Sequence, residues 1–236
     1  MVFAHYDSLA SLLDFPGPDF DARGRMALES LRGRYPDAAT EVEEFLDGMP
    51  KRILDGQELY TRVFDVQALT TLDTGYVLFG DDYKRGQLLA NLSNEHVKVD
   101  NDCRGELADH LPNLLRLLPK LEDDELREEL VRNILAPALV LMIREFDAER
   151  IEKKNENYRK HDKTLIDPAQ AGSPMVYRRA LTALLDVLTK DFQASDLVER
   201  LADWSSQPGT EDFLGLVSKE MEIERTANPN NSGCDA

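Results

Sequence analysis

Apolar residues recur every three or four positions along most of this chain, the spacing that gathers them on one face of an α-helix. Val2, Phe3, Tyr6, Leu9, Leu12 and Leu13 form the first stripe, and Phe15-Pro-Gly-Pro18 ends it because proline cannot continue a helix. Residues 19–34 predict a second helix, weakened by Gly24. Residues 38–46 predict a third, with Asp37 as its N-cap, and residues 52–64 a fourth carrying Ile53, Leu59, Tyr60, Val63 and Phe64. Asp81 and Asp82 precede a pattern running to about Val97, where acidic residues suit the positive end of a helix dipole. Leu107, Leu111, Leu114, Leu115, Leu117 and Leu118 make the next stripe, with Pro112 in the first turn that tolerates it. Beyond Asp123 and Asp124, Leu126, Leu130, Ile134, Ala138, Met142 and Phe146 repeat every four residues. Val131, Leu135, Leu139 and Ile143 widen that stripe, the mark of a buried central helix, and Pro137 predicts a kink or break in it. Residues 175–192 form another amphipathic pattern, 197–201 a short one and 213–221 a weaker one. No segment alternates as a strand should, and Tyr76-Val-Leu-Phe79 reads as a loop or helix end. The expectation is an all-α, single-domain bundle of roughly 8–10 helices over residues 1–222. Residues 164–174, containing Asp167-Pro-Ala-Gln-Ala-Gly-Ser-Pro174, read as an internal linker or hinge, and the polar residues 223–236 as a disordered tail.

Composition narrows the class of function. The chain of 236 residues is 42% hydrophobic and 31% charged, so it can bury a sizeable core. Its 45 acidic residues outnumber 28 basic ones, a net charge of -17. That balance disfavours nucleic acid and anionic lipid and favours basic partners. Cys103 and Cys234 are the only cysteines, which fits a reducing compartment better than a disulfide scaffold. The N-terminal stretch lacks a basic region and carries Asp7 and Asp14, and no run of apolar residues is long enough to span a membrane. The expected location is the cytoplasm.

Candidate chemistry is sparse. His96, Cys103 and His110 are spaced by seven but straddle an expected turn, and they lack a fourth ligand for a metal. Gly75 and Gly80 do not form a phosphate loop, since the lysine and hydroxyl residue are missing; Gly80 and Gly86 read as turn and close-packing positions. No nucleophile–base signature occurs. Asp81/Asp82 and Asp123/Asp124 read as helix-start pairs. Asp109 or His110 can cap the helix that Pro112 begins. Tyr60, Phe64 and Tyr83 read first as core aromatics and second as the lining of a partner groove. Lys84 and Arg85 stand at a helix start, on a solvated face or against an anionic ligand.

Tyr60-Thr-Arg-Val-Phe64-Asp65, the Arg85-Gly86 segment and Glu106-Leu-Ala-Asp-His-Leu-Pro112 with its leucine helix together resemble the NarJ branch of the NarJ/TorD/DmsD family, the assembly chaperones of molybdenum enzymes. The resemblance runs from Leu59 to about Ala148. It departs from the family's usual Glu-Leu-Pro-Asp-His-Leu-Pro at Ala108, where the first proline is lost. The segment from Tyr76 to Gly86 looks more like chaperones encoded beside nitrate, selenate, chlorate or hydrocarbon-oxidising enzymes than like the enteric nitrate reductase chaperone. The resemblance implies a TorD/NarJ-like helical fold, no catalysis and no stably bound cofactor. It implies binding of the N-terminal, twin-arginine-like segment of an apo catalytic subunit of the dimethyl-sulfoxide-reductase superfamily. The subunit is held until its bis-molybdopterin guanine dinucleotide is inserted. It also implies a monomer or a helix-exchanged dimer. Client contacts are then expected at Tyr60, Phe64, Asp65, Tyr83, Arg85, Asp109, His110, Leu111 and Pro112. Two other readings stand beside it. One is a nucleotide- or pterin-binding protein using Lys84 and Arg85; the other is a stable non-catalytic subunit of a redox complex.

Overall fold

The computed structural model describes residues 3–161 and 173–195, with the backbone alone over 155–161. The chain divides into a compact unit, Met1–Leu201, and a second unit, Ala202–Ala236, that lies outside the described residues. The expected helices at 197–201 and 213–221 and the tail at 223–236 therefore also lie outside them. So does the expected linker, except Ser173 and Pro174, which lead into a helix.

The described residues are all-α. The segments are α1 (His5–Ala10), α2 (Phe20–Leu31), α3 (Pro36–Gly48), α4 (Ile53–Phe64), α5 (Thr74–Phe79), α6 (Tyr83–Lys98), α7 (Leu111–Leu117), α8 (Asp124–Leu130), α9 (Ala136–Arg144), α10 (Ala148–His161) and α11 (Met175–Asp191). A π-helical turn, Val131–Leu135, joins α8 to α9 in one rod. Pro137 is the physical cause. It offers no N–H to the carbonyl four residues back, and its ring crowds that turn, so the helix widens upstream instead of breaking.

Three corrections to the sequence reading concern local geometry. Tyr76–Phe79 is helical, the body of α5, which Gly80 ends with φ +61°. The N-cap of α3 is Tyr35, followed by Pro36, so Asp37 sits within the first turn. Gly86 has open space around its Cα, so it is not a close-packing position. The acidic pairs behave as read. Asp82 accepts from the Lys84 amide at 2.9 Å, and Asp123 accepts from the amides of Glu125 and Leu126.

The core centres on α7, α9 and α11. Every residue of α7 is buried, including Asn113 and Arg116. α11 packs on α3 and α9, α1 on α7 and α2, and α5 on α9. Buried polar groups find partners and thereby fix the long 99–110 connection. His96 Nε2–H donates to the Ala108 carbonyl at 3.0 Å, and His96 Nδ1 accepts from Asn101 Nδ2 at 2.8 Å. Asn113 Nδ2 donates to the carbonyls of Cys103 and Leu107. Burial holds the His96 ring below the ordinary imidazole range, consistent with the neutral tautomer these bonds require. At the far end, the side chain of Asp191 is fully buried and accepts from His5 Nε2 (2.9 Å), the Tyr6 hydroxyl (3.0 Å) and the Tyr35 hydroxyl. Burial opposes its ionisation, but these donors outweigh it, so its carboxyl titrates below the usual range.

Candidate functional site

A cleft of about 560 Å³ opens where the α1–α2 connection, the C-terminal half of α4, the α4–α5 connection and the start of α7 meet. That volume is in the range of peptide and small-molecule sites. Its apolar lining is Phe15, Tyr60, Phe64, Leu72 and Pro112. Helical spacing explains the first aromatic pair: Tyr60 and Phe64 are four apart on α4, so their rings meet, 5.0 Å between centroids. Phe15, 53% exposed, leans edge-on against Tyr60 at 5.4 Å. Behind them the buried Tyr177 ring of α11 packs on both Tyr60 and Phe64. The anchor rings are thus held by the core and cannot collapse into the cleft.

The polar lining carries four carboxylates, Asp14, Asp65, Asp73 and Glu106, against two guanidiniums, Arg104 and Arg116. Asp14 is the most heavily paired: Arg23 donates at 2.8 Å, Arg116 at 2.7 Å, and Arg104 lies at 3.6 Å. Asp65 and Glu106 are exposed and have no ion pair among the described residues. Burial raises the Tyr60 phenol above its ordinary value, and Glu106, Asp14, Asp65 and Asp73 push it further the same way. The phenol therefore registers the negative potential of the whole cleft.

One rim is built by charges drawn from three separate segments. Arg85, on α6, donates from Nε to Asp109 Oδ2 at 3.1 Å and from its terminal nitrogen to Asp73 Oδ2 at 3.0 Å. Asp73 Oδ1 accepts from His110 Nδ1 at 3.1 Å. The backbone reinforces the link: Asp73 and His110 pair as an isolated antiparallel bridge, and the Leu111 amide donates to the Leu72 carbonyl at 2.8 Å. The Asp109 carbonyl accepts from both the amide and the hydroxyl of Thr74. Gly75 leaves room for this arrangement, because a Cβ there would stand 2.7 Å from Asp109 Oδ2 and 3.0 Å from Leu88 Cδ2. The hydrogen bond from His110, together with Arg85, holds the Asp73 carboxyl below the usual range despite its partial burial. Burial weakens the Arg85 charge, but Asp109 and Asp73 outweigh it and raise its proton affinity.

The residues singled out from sequence separate into groups. Tyr60, Phe64, Asp65, His110 and Pro112 line the cleft together. Asp109 and Leu111 are fully buried behind it, and Arg85 braces it without lining it. Tyr83 neither lines the cleft nor joins the core. It is 78% exposed, because the first residue of α6 faces outward from the Asp82 cap. Capping by Asp109 or His110 is also corrected: His110 occupies the N-cap position of α7, but neither side chain bonds a helix amide. Both are drawn sideways by stronger charged partners. Asp73, Phe15, Asp14 and Gly75 were missed. Their signal is three-dimensional, since Asp73 reaches His110 across 37 residues and Arg116 reaches Asp14 across 102.

Arg85 is committed to two carboxylates, so it is not available as a phosphate contact. Among the described residues, no group of three or more His, Cys, Asp or Glu is placed to hold a metal ion, and no helix is long and apolar enough to cross a membrane. A larger cleft of about 960 Å³ lies across Arg116, the one lining residue the two share. It has no aromatic lining, and its charges are close to balanced, so it offers less to an amphipathic segment.

No protein-family model matches the chain. A stretch of 92 residues is 37% identical to the probable nitrate reductase molybdenum cofactor assembly chaperone NarW of Escherichia coli (strain K12), a protein of the NarJ family. The match covers 38% of this chain and 38% of that relative's length. The resemblance read from the motifs thus recurs in a curated relative.

Proposed function

We propose that this chain is an assembly chaperone for a molybdenum-cofactor enzyme of the nitrate-reductase type. In this reading it acts without catalysis, in the cytoplasm, and binds the N-terminal segment of the apo catalytic subunit in the Tyr60–His110 cleft. The segment is held until the cofactor, which stays with the client, has been inserted. The observation that carries the proposal is the cleft itself: an aromatic floor held rigid by Tyr177, under a rim where Asp65 and Glu106 are unpaired among the described residues. An amphipathic segment with basic residues is complementary to both, with apolar side chains on the floor and ammonium or guanidinium groups at the rim. The likeness to a nitrate reductase assembly chaperone supports the choice of client class.

Titration calorimetry against synthetic N-terminal peptides of the molybdoenzyme catalytic subunits encoded in the same genome tests this. One peptide is expected to bind at micromolar affinity or tighter and to weaken as salt rises, because exposed charges are screened. Asp65→Lys combined with Glu106→Lys is expected to weaken it more than tenfold with helix content unchanged. Equal binding by that double variant would sink the cleft assignment.

A further inference from the structure

We propose that Asp73 fixes the tautomer of His110 and so makes His110 Nε2 the hydrogen-bond acceptor for an N–H donor of the segment bound in the cleft. The inference rests on the cleft being the client site.

The chemistry follows from what each atom can do. An ionised carboxylate only accepts, so with Asp73 Oδ1 3.1 Å from His110 Nδ1 the proton must sit on Nδ1. In a neutral imidazole the other nitrogen then carries a lone pair. His110 Nε2 has no partner among the described residues, and His110 lines the cleft with 14% of its side chain exposed. Asp73 is not free to turn away. Its second oxygen is held by Arg85 at 3.0 Å, and Arg85 is anchored to the fully buried carboxylate of Asp109 at 3.1 Å. Asp73 is the N-cap residue of α5, yet it makes no side-chain capping bond; its carboxylate is committed to the rim instead. The charged groups that share the cleft with His110 are the carboxylates Asp14, Asp65 and Glu106 and the guanidiniums Arg104 and Arg116. Their surplus of negative charge draws N–H donors, not acceptors, toward the lone pair. Asp73 acts through His110 and is a positioning residue.

Two readouts on the intact chain test the proposal. The long-range proton–nitrogen spectrum of the His110 ring, recorded at mildly alkaline pH, is expected to show the Nδ1–H tautomer and to shift toward Nε2–H in Asp73→Asn. In parallel, Asp73→Asn is expected to weaken peptide binding about five- to tenfold, the loss of one hydrogen bond. His110→Gln guards against a folding artefact. Its amide reaches about the Nε2 position and accepts without help from Asp73, so it retains binding and makes it insensitive to Asp73→Asn. An Nε2–H tautomer in the unaltered protein, or unchanged affinity in Asp73→Asn, overturns the proposal while the cleft reading stands. Absence of binding by the unaltered protein to any client peptide overturns the cleft reading, and the acceptor role with it.

Discussion

Alanine at position 75 illustrates how a single methyl group can oppose helix propensity here. In an exposed helix the change from glycine gains about 1 kcal/mol. In α5 the new Cβ meets Asp109 Oδ2 at 2.7 Å, and that oxygen cannot yield without breaking its bond to Arg85. Gly75→Ala is therefore expected to destabilise the protein by about 1–3 kcal/mol, measured by urea unfolding; a gain in stability would show that the rim is slack. Residues of this kind were poorly legible. The motif resemblance, rather than spacing, marked Tyr60, Phe64, Asp65, His110 and Pro112, which lie near one another on two helix ends. It did not reveal Asp73 or Gly75, whose roles come from a guanidinium on another helix. It misread Tyr83, because an aromatic at a helix start carries no information about which way that helix faces.

Elements were easier to read, because proline, glycine and N-cap chemistry act locally. The stripes placed α1, α2, α4, α6, α7 and α11 within a few residues, and Pro137 announced the irregularity that became a π turn. The missed helix α5 is six residues long, too short to show a period. What sequence could not show is how elements are tied end to end. Arg127, buried on α8, donates to the carbonyls of Leu118 and Leu121 that follow α7. It takes the place of the missing helical donors there. Arg127→Ala leaves both carbonyls buried and unpaired, at a cost of about 2–4 kcal/mol. Arg127→Lys recovers only part of that, because one ammonium cannot span two acceptors as a guanidinium fork does. Chemical denaturation of both variants checks the order; an Arg127→Lys variant as stable as the unaltered protein would show that charge alone is what matters at this position.

For the molecule as a whole, the titratable groups define how it fails in acid. Burial keeps His96 neutral, so the unfolded ring takes up a proton first, and stability falls as pH drops below about 6.5. Asp73 and Asp191 have depressed values in the folded state. Their contribution is complete above the unfolded carboxylate value of about 3.9 and is lost as pH falls further. Thermal melts between neutral and acid pH are expected to show two successive losses, and His96→Gln to lack the first. A His96→Gln profile parallel to that of the unaltered protein would assign the first loss elsewhere. The fold class was legible at this scale because helical periodicity covers nearly the whole chain, whereas the pairing of distant segments leaves no periodic trace. Asp191 has a consequence in time. His5 and Asp191 are 186 residues apart, and α11 closes over α3. At synthesis rates of about 5–20 residues per second, roughly 10–40 s separate their emergence from the ribosome. Through most of that interval the apolar face of α3 awaits α11, and His5 and Tyr6 await Asp191, so a protein proposed to shelter an unfinished enzyme is itself unfinished until nearly all of its described length has been made.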